Sequence, residues 1–146
     1  PGPMKTTTSK PVLYQNRYRS HLEERIAGQL ERAGLHFDYE GEKISYVVPA
    51  RKARYTPDFP VPYKAKKAKI YIEAKGRFRT AQERQKLILV REQNPDIDLR
   101  IVFQKANNPI YKGSPTTYAM WAESHGIKWA DGGVIPEAWI KELKDG

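Results

Sequence analysis

The seven residues KIYIEAK, Lys69 to Lys75, constrain the fold more than any other stretch, because hydrocarbon and polar side chains alternate through them. A period of two is the mark of a β-strand, so Ile70 and Ile72 are expected to face a core while Tyr71, Glu73 and Lys75 share the opposite side. Glu73 and Lys75 then stand as neighbours on one sheet face. KISYVVP and HFDYE alternate in the same way, and LRIVFQ is apolar enough to be a buried strand. SHLEERIAGQLERAG carries the signals of a helix: Ser20 as N-cap, Glu23 at the capping-box position, Leu22, Ile26 and Leu30 on one stripe, and Gly34 as terminator. Thr80 caps a second helix that stops before Pro95. SPTTYAMWAESHG predicts a third, with Ser114 as cap, and IPEAWIKEL a short closing one. PARKARYTPD reads as a basic, proline-interrupted connection. Strands grouped early with helices on both sides predict an α/β chain, a small mixed sheet flanked by helices.

The chain has 146 residues, 39% of them hydrophobic, which is enough for one core and argues for a single domain over residues 20–146. Residues 1–19 read as a flexible basic arm, with the opening PGP as a lead-in before a start at Met4. Twenty-six Lys and Arg against seventeen Asp and Glu leave a net charge of +9, which favours a polyanionic partner, nucleic acid first. No apolar run approaches membrane-spanning length, and the absence of cysteine excludes disulfides and thiolate zinc sites. A soluble, cytoplasmic protein without a membrane partner is the expectation.

Two acids in so basic a chain call for a reason. If the turn YTPDF lies beside KIYIEAK, Asp58 arrives near Glu73, and two carboxylates beside a phosphate make a magnesium site. Lys75 would then orient an attacking water and offset charge on the phosphoryl oxygens. The same residues also fit a plain proline turn and a half-exposed strand, and Glu23 fits a simple helix cap. A metal-dependent nuclease, one acting on linear duplex included, and a non-catalytic nucleic-acid-binding module both remain compatible with that pattern.

SHLEERIAGQLERAG, YVVPA, YTPDF, IEAKG, LILVREQNPDIDLRIVF, YKGSPTTYAMWAESHGIKWAD and IPEAWIKE occur in that order from Ser20 to Leu143. Together they resemble the endonuclease I family of short-tailed coliphages, Holliday-junction resolvases of the PD-(D/E)xK nuclease superfamily. The resemblance implies a restriction-endonuclease-like core and an intertwined homodimer that exchanges elements across a β bridge. It also implies cleavage of four-way and other branched DNA with magnesium, or manganese in its place, in the host cytoplasm. By position, Asp58 and Glu73 correspond to the family's metal-binding carboxylates, with the backbone carbonyl of Ala74 completing the set, and Lys75 to its catalytic lysine. Glu23 corresponds to a further carboxylate that the partner chain contributes in trans, and residues 45–56 to the dimer bridge. Arg17, Arg19, Ser20, Arg51, Arg54, Lys67 and Arg77 are the residues expected at DNA, where phosphate contacts position the substrate. The link PVPYKAKKAK between Asp58 and Glu73 departs from the family pattern in being longer and richer in lysine.

Overall fold

The computed structural model describes residues 17–48 and 51–146, and among the described residues six strands and four helices follow one another. Helix α1 (His21–Arg32) starts where its sequence places it. Ser20, in extended backbone, accepts the Glu23 N–H on its hydroxyl at 3.1 Å, and the Glu23 carboxylate reaches back to the Arg19 N–H at 2.9 Å. Two orphan donors are satisfied in this way, the second one residue further out than in the usual capping box. β1 (Ile44–Val48) and β2 (Arg51–Tyr55) pair antiparallel as a separate two-stranded sheet, with Ile44 opposite Tyr55 and Val48 opposite Arg51.

The main sheet has the order β3-β4-β5-β6, built from β3 (Phe59–Pro62), β4 (Lys69–Lys75), β5 (Leu99–Phe103) and β6 (Lys128–Ala130). β3 and β4 form an antiparallel pair, whereas β4, β5 and β6 run parallel. Parallel neighbours need crossovers. α2 (Ala81–Gln93) lies between β4 and β5, and α3 (Tyr118–Ser124) between β5 and β6. The sheet is covered on both faces. Ile70, Ile72 and Val102 pack with α1 and with Ile140 and Leu143 of α4 (Glu137–Asp145). Leu99, Ile101 and Phe103 pack with α2, α3, and Ile44, Tyr46 and Tyr55 of the small sheet.

One charged side chain crosses the first of these layers. Arg100, fully buried in β5, places its guanidinium on both oxygens of Asp98 (2.8 and 2.9 Å) and both of Glu142 (2.8 and 3.0 Å), 5.1 Å from the Trp139 ring. This fastens α4 to the sheet. The Arg100 hydrogen bonds hold the Glu142 carboxyl down from 4.5 to about 2, with the Tyr63 hydroxyl also donating to it. A depressed carboxyl contributes stability that is full above its unfolded value and is lost as pH falls through the folded one. Glu142→Gln is therefore expected to lower stability by about 1–2 kcal/mol near neutral pH, allowing for the solvent at Glu142. The gap in melting temperature between wild type and variant should close between pH 4.5 and about 2. A constant gap across that range would show that the pair is not the cause.

Four expectations are corrected. HFDYE is a loop, because Glu40 has φ of +52° and the Gly41 N–H closes a turn on the Asp38 carbonyl, neither of which a strand permits. Residues 51–55, expected as part of a connection, form β2, where Tyr55 and Ala53 alternate inward against exposed Lys52 and Arg54. α3 begins at Tyr118 with Thr117 as cap; the Ser114 hydroxyl instead accepts the Thr116 N–H. β3 and β6 were not anticipated: Pro60 and Pro62 fall in the stretch read as a link, yet β3 is an edge strand, where proline is tolerated, and β6 is too short to show a period. Of the expected arm only residues 17–19 are described, and positions 49 and 50 of the expected bridge lie outside the described residues. No helix among the described residues is long and apolar enough to cross a membrane.

Candidate active site

The C-terminal half of β4 presents Glu73, Ala74 and Lys75, and the short turn between β2 and β3 presents Asp58. The two segments are laced together. The Ala74 N–H donates to Asp58 Oδ2 at 2.9 Å, and the Asp58 N–H points at Glu73 Oε1 at 3.3 Å. Tyr55, at the end of β2, covers Glu73 and donates its hydroxyl to the same Oε1 at 2.5 Å. Lys75 Nζ stands 3.9 Å from Glu73 Oε2 and 5.3 Å from the centre of the Phe78 ring, which fixes the ammonium beside the acids.

α1 supplies the third acid. Glu23 is held by the Tyr39 hydroxyl at 2.5 Å, and oxygens of Glu23, Glu40 and Asp58 lie within 4.8 Å of one another. Glu40 reaches this place through its left-handed backbone, with its N–H on the Asp58 carbonyl at 3.0 Å and its carboxylate on the Arg19 guanidinium at 3.0 and 3.1 Å. Sequence reasoning did not single out Glu40, Tyr39 or Tyr55. Glu40 was hidden by the strand-like alternation of HFDYE. The tyrosines bond to partners 16 and 18 residues away, a separation that no local spacing reveals.

Glu23, Asp58 and Glu73 are 8%, 7% and 8% exposed, so three carboxylates share a site that water scarcely reaches. Burial pushes Asp58 well above the usual carboxylate range, and the charges of Glu73 and Glu23 push it further, against the pull of the Ala74 N–H and Lys75. Burial also raises Glu73, opposed by Lys75 and the Tyr55 hydroxyl. The same burial holds Tyr55 and Tyr39 far above the ordinary phenol value, so both remain protonated donors. Such a cluster of hard oxygens, under-compensated by one lysine, fits a divalent cation of the magnesium class.

The structure thus brings together Glu23, Asp58, Glu73, Ala74 and Lys75, with Glu23 beside Asp58 of the same chain. The residues expected at DNA are not gathered at one point. Arg17, Arg19 and Ser20 lie at the root of α1, Arg51 and Arg54 on β2, Lys67 in the β3–β4 loop, and Arg77 just beyond β4, all of them exposed. The Ser20 hydroxyl is engaged as the helix cap and Arg19 in its pair with Glu40.

The profile of the family described as Phage endonuclease I matches residues 4–146. The chain is 46% identical over 127 residues to Endonuclease I of Escherichia phage T7, covering 87% of this chain and 80% of that protein. It is equally similar, 46% over 127 residues, to Endodeoxyribonuclease 1 of Enterobacteria phage T3, covering 79% of that relative. With a profile match across nearly its whole length and two such relatives, the chain belongs to the phage endonuclease I family.

Proposed function

We propose that the protein is a metal-dependent endodeoxyribonuclease that resolves four-way and other branched DNA junctions by paired phosphodiester hydrolysis, acting in the host cytoplasm. The observation that carries this reading is the lacing of Asp58 to Glu73 and Ala74 beside the Lys75 ammonium, in a chain whose two relatives are named an endonuclease and an endodeoxyribonuclease. Asp58, Glu73 and the Ala74 carbonyl, with Glu23 as a further ligand, would hold magnesium, or manganese, which would supply Lewis acidity at the scissile phosphate and an acidified water. Lys75 orients that water and offsets charge gathering on the phosphoryl oxygens. The hydrogen bonds from Tyr55 and Tyr39 hold the Glu73 and Glu23 carboxylates at the site. Arg17, Arg19, Ser20, Arg51, Arg54, Lys67 and Arg77 guide the DNA backbone to the site.

The active form is a homodimer that exchanges elements across a bridge over residues 45–56, with Glu23 acting in trans. The connectivity of the chain is compatible with this. The only chain connection between the Glu23 side and the Asp58 side of the site runs through the paired strands β1 and β2. Opening that pair into a bridge over residues 45–56 lets every Glu23 and Glu40 contact with Asp58 re-form between chains without new chemistry. The β3–β4 hairpin followed by two parallel strands supports a restriction-endonuclease-like core. Two symmetric sites at fixed separation suit paired nicks on a symmetric junction.

The test compares a four-way junction with a linear duplex of the same sequences, in magnesium and in EDTA. Metal-dependent paired nicks at the branch, with the linear duplex spared, are expected. Equal cutting of both substrates would remove the junction specificity, and tight binding without cutting of either would point to a binding module.

A further inference from the structure

The two glutamates of the site are held in the same way. Glu73 receives the Tyr55 hydroxyl at 2.5 Å and the Asp58 N–H at 3.3 Å, both on Oε1. Glu23 receives the Tyr39 hydroxyl at 2.5 Å and the Arg19 N–H at 2.9 Å, again both on Oε1. Among the described residues no hydrogen bond reaches Oε2 of either glutamate, and Oε2 of Glu73 has only the Lys75 ammonium, 3.9 Å away. Each carboxylate is thus pinned by one oxygen and open at the other.

The last torsion of a glutamate is soft, so a single contact leaves the carboxylate plane free to turn. Two donors converging on one oxygen remove that freedom and aim the second oxygen. The donors are themselves fixed. The Tyr39 ring packs edge-on against Tyr18, with centroids 4.6 Å apart, and lies 5.4 Å from the Phe59 ring, while the Arg19 N–H also lies 3.2 Å from the Tyr39 hydroxyl oxygen. Tyr55 is fully enclosed between the two sheets. Each pair also lies wholly on one side of residues 49 and 50, so an exchange of elements between chains leaves both intact.

We propose that Tyr39 and Tyr55 are positioning residues, each holding one oxygen of its glutamate so that the other is presented to the divalent cation. The proposal rests on the metal-dependent reading above. The partners that orient metal ligands typically carry 10- to 100-fold of metal affinity. Tyr39→Phe removes one hydroxyl and keeps the ring.

The experiment titrates wild type, Tyr39→Phe and Tyr55→Phe with Mn²⁺ alone by calorimetry, and then follows junction cleavage across Mn²⁺ concentration. The expected result for each variant is a binding midpoint raised roughly 10- to 100-fold. Cleavage should recover at high metal, and junction affinity in EDTA should match wild type. Variants that melt earlier but titrate like wild type would overturn the proposal, since a merely structural hydroxyl does that. Should Tyr55→Phe fail to fold, half-buried Tyr39 decides the matter alone. A wild type that neither binds Mn²⁺ nor cuts would instead strike the nuclease reading, and this inference with it.

Discussion

Asp58→Asn is expected to cut junction cleavage by at least about 10³-fold, leave junction binding within a few-fold, and raise the melting temperature of the metal-free protein. Activity is lost because Asp58 is the acid common to the Glu73 and Glu23 sides of the site, and a neutral amide is a poor ligand for a hard cation. The gain in stability follows from the same geometry. Asp58 is 7% exposed between two other carboxylates, so its charge is carried at a cost that burial and both neighbours increase. The asparagine oxygen can still accept the Ala74 N–H, so little is lost in exchange. Added magnesium should stabilise wild type and leave the variant unmoved, by linkage. Glu73→Ala should match the loss of cleavage but lower the melting temperature, because it strands the buried Tyr55 hydroxyl. Melts of the three proteins with and without magnesium, beside a cleavage assay, decide this; an active Asp58→Asn would remove Asp58 from the chemistry.

What was legible from the sequence is what local chemistry controls. The Ser20 and Thr80 caps, the alternation of KIYIEAK and the apolar run of LRIVF each act within a few residues, and each element forms where its pattern places it. HFDYE failed because its period of two is real but its backbone is turned out of the strand region at Glu40, by contacts to Arg19 and Asp58 that only the fold brings near. Glu23 shows how two readings of one residue can coexist. Its backbone N–H is capped by Ser20 while its carboxylate is turned to Tyr39, so the capping position also delivers an acid to the site. Strand parity made Glu73 and Lys75 neighbours on one face, and the family resemblance gave them their roles. The tyrosines that hold the acids could not be read in this way, since nothing near Tyr39 or Tyr55 in the chain marks them as donors to residues 16 and 18 positions away.

Mixing a Glu23→Ala chain with a Lys75→Ala chain is expected to restore cleavage that neither homodimer has. In a swapped dimer each site takes Glu23 from one chain and Lys75 from the other. One site of the heterodimer then collects both wild-type residues, and the other collects both substitutions. Random assortment gives about half of all dimers this composition, and each should nick one strand of the junction rather than make paired cuts. If Glu23 instead serves the Asp58 of its own chain, every site in the mixture lacks one residue and no activity returns. Dual-tag purification of the heterodimer after joint refolding separates slow exchange of chains from a true negative. Because the Glu23–Asp58 contact is the same in either arrangement, the geometry of one chain is neutral between them, and the count of nicks per junction decides which chain supplies the acid.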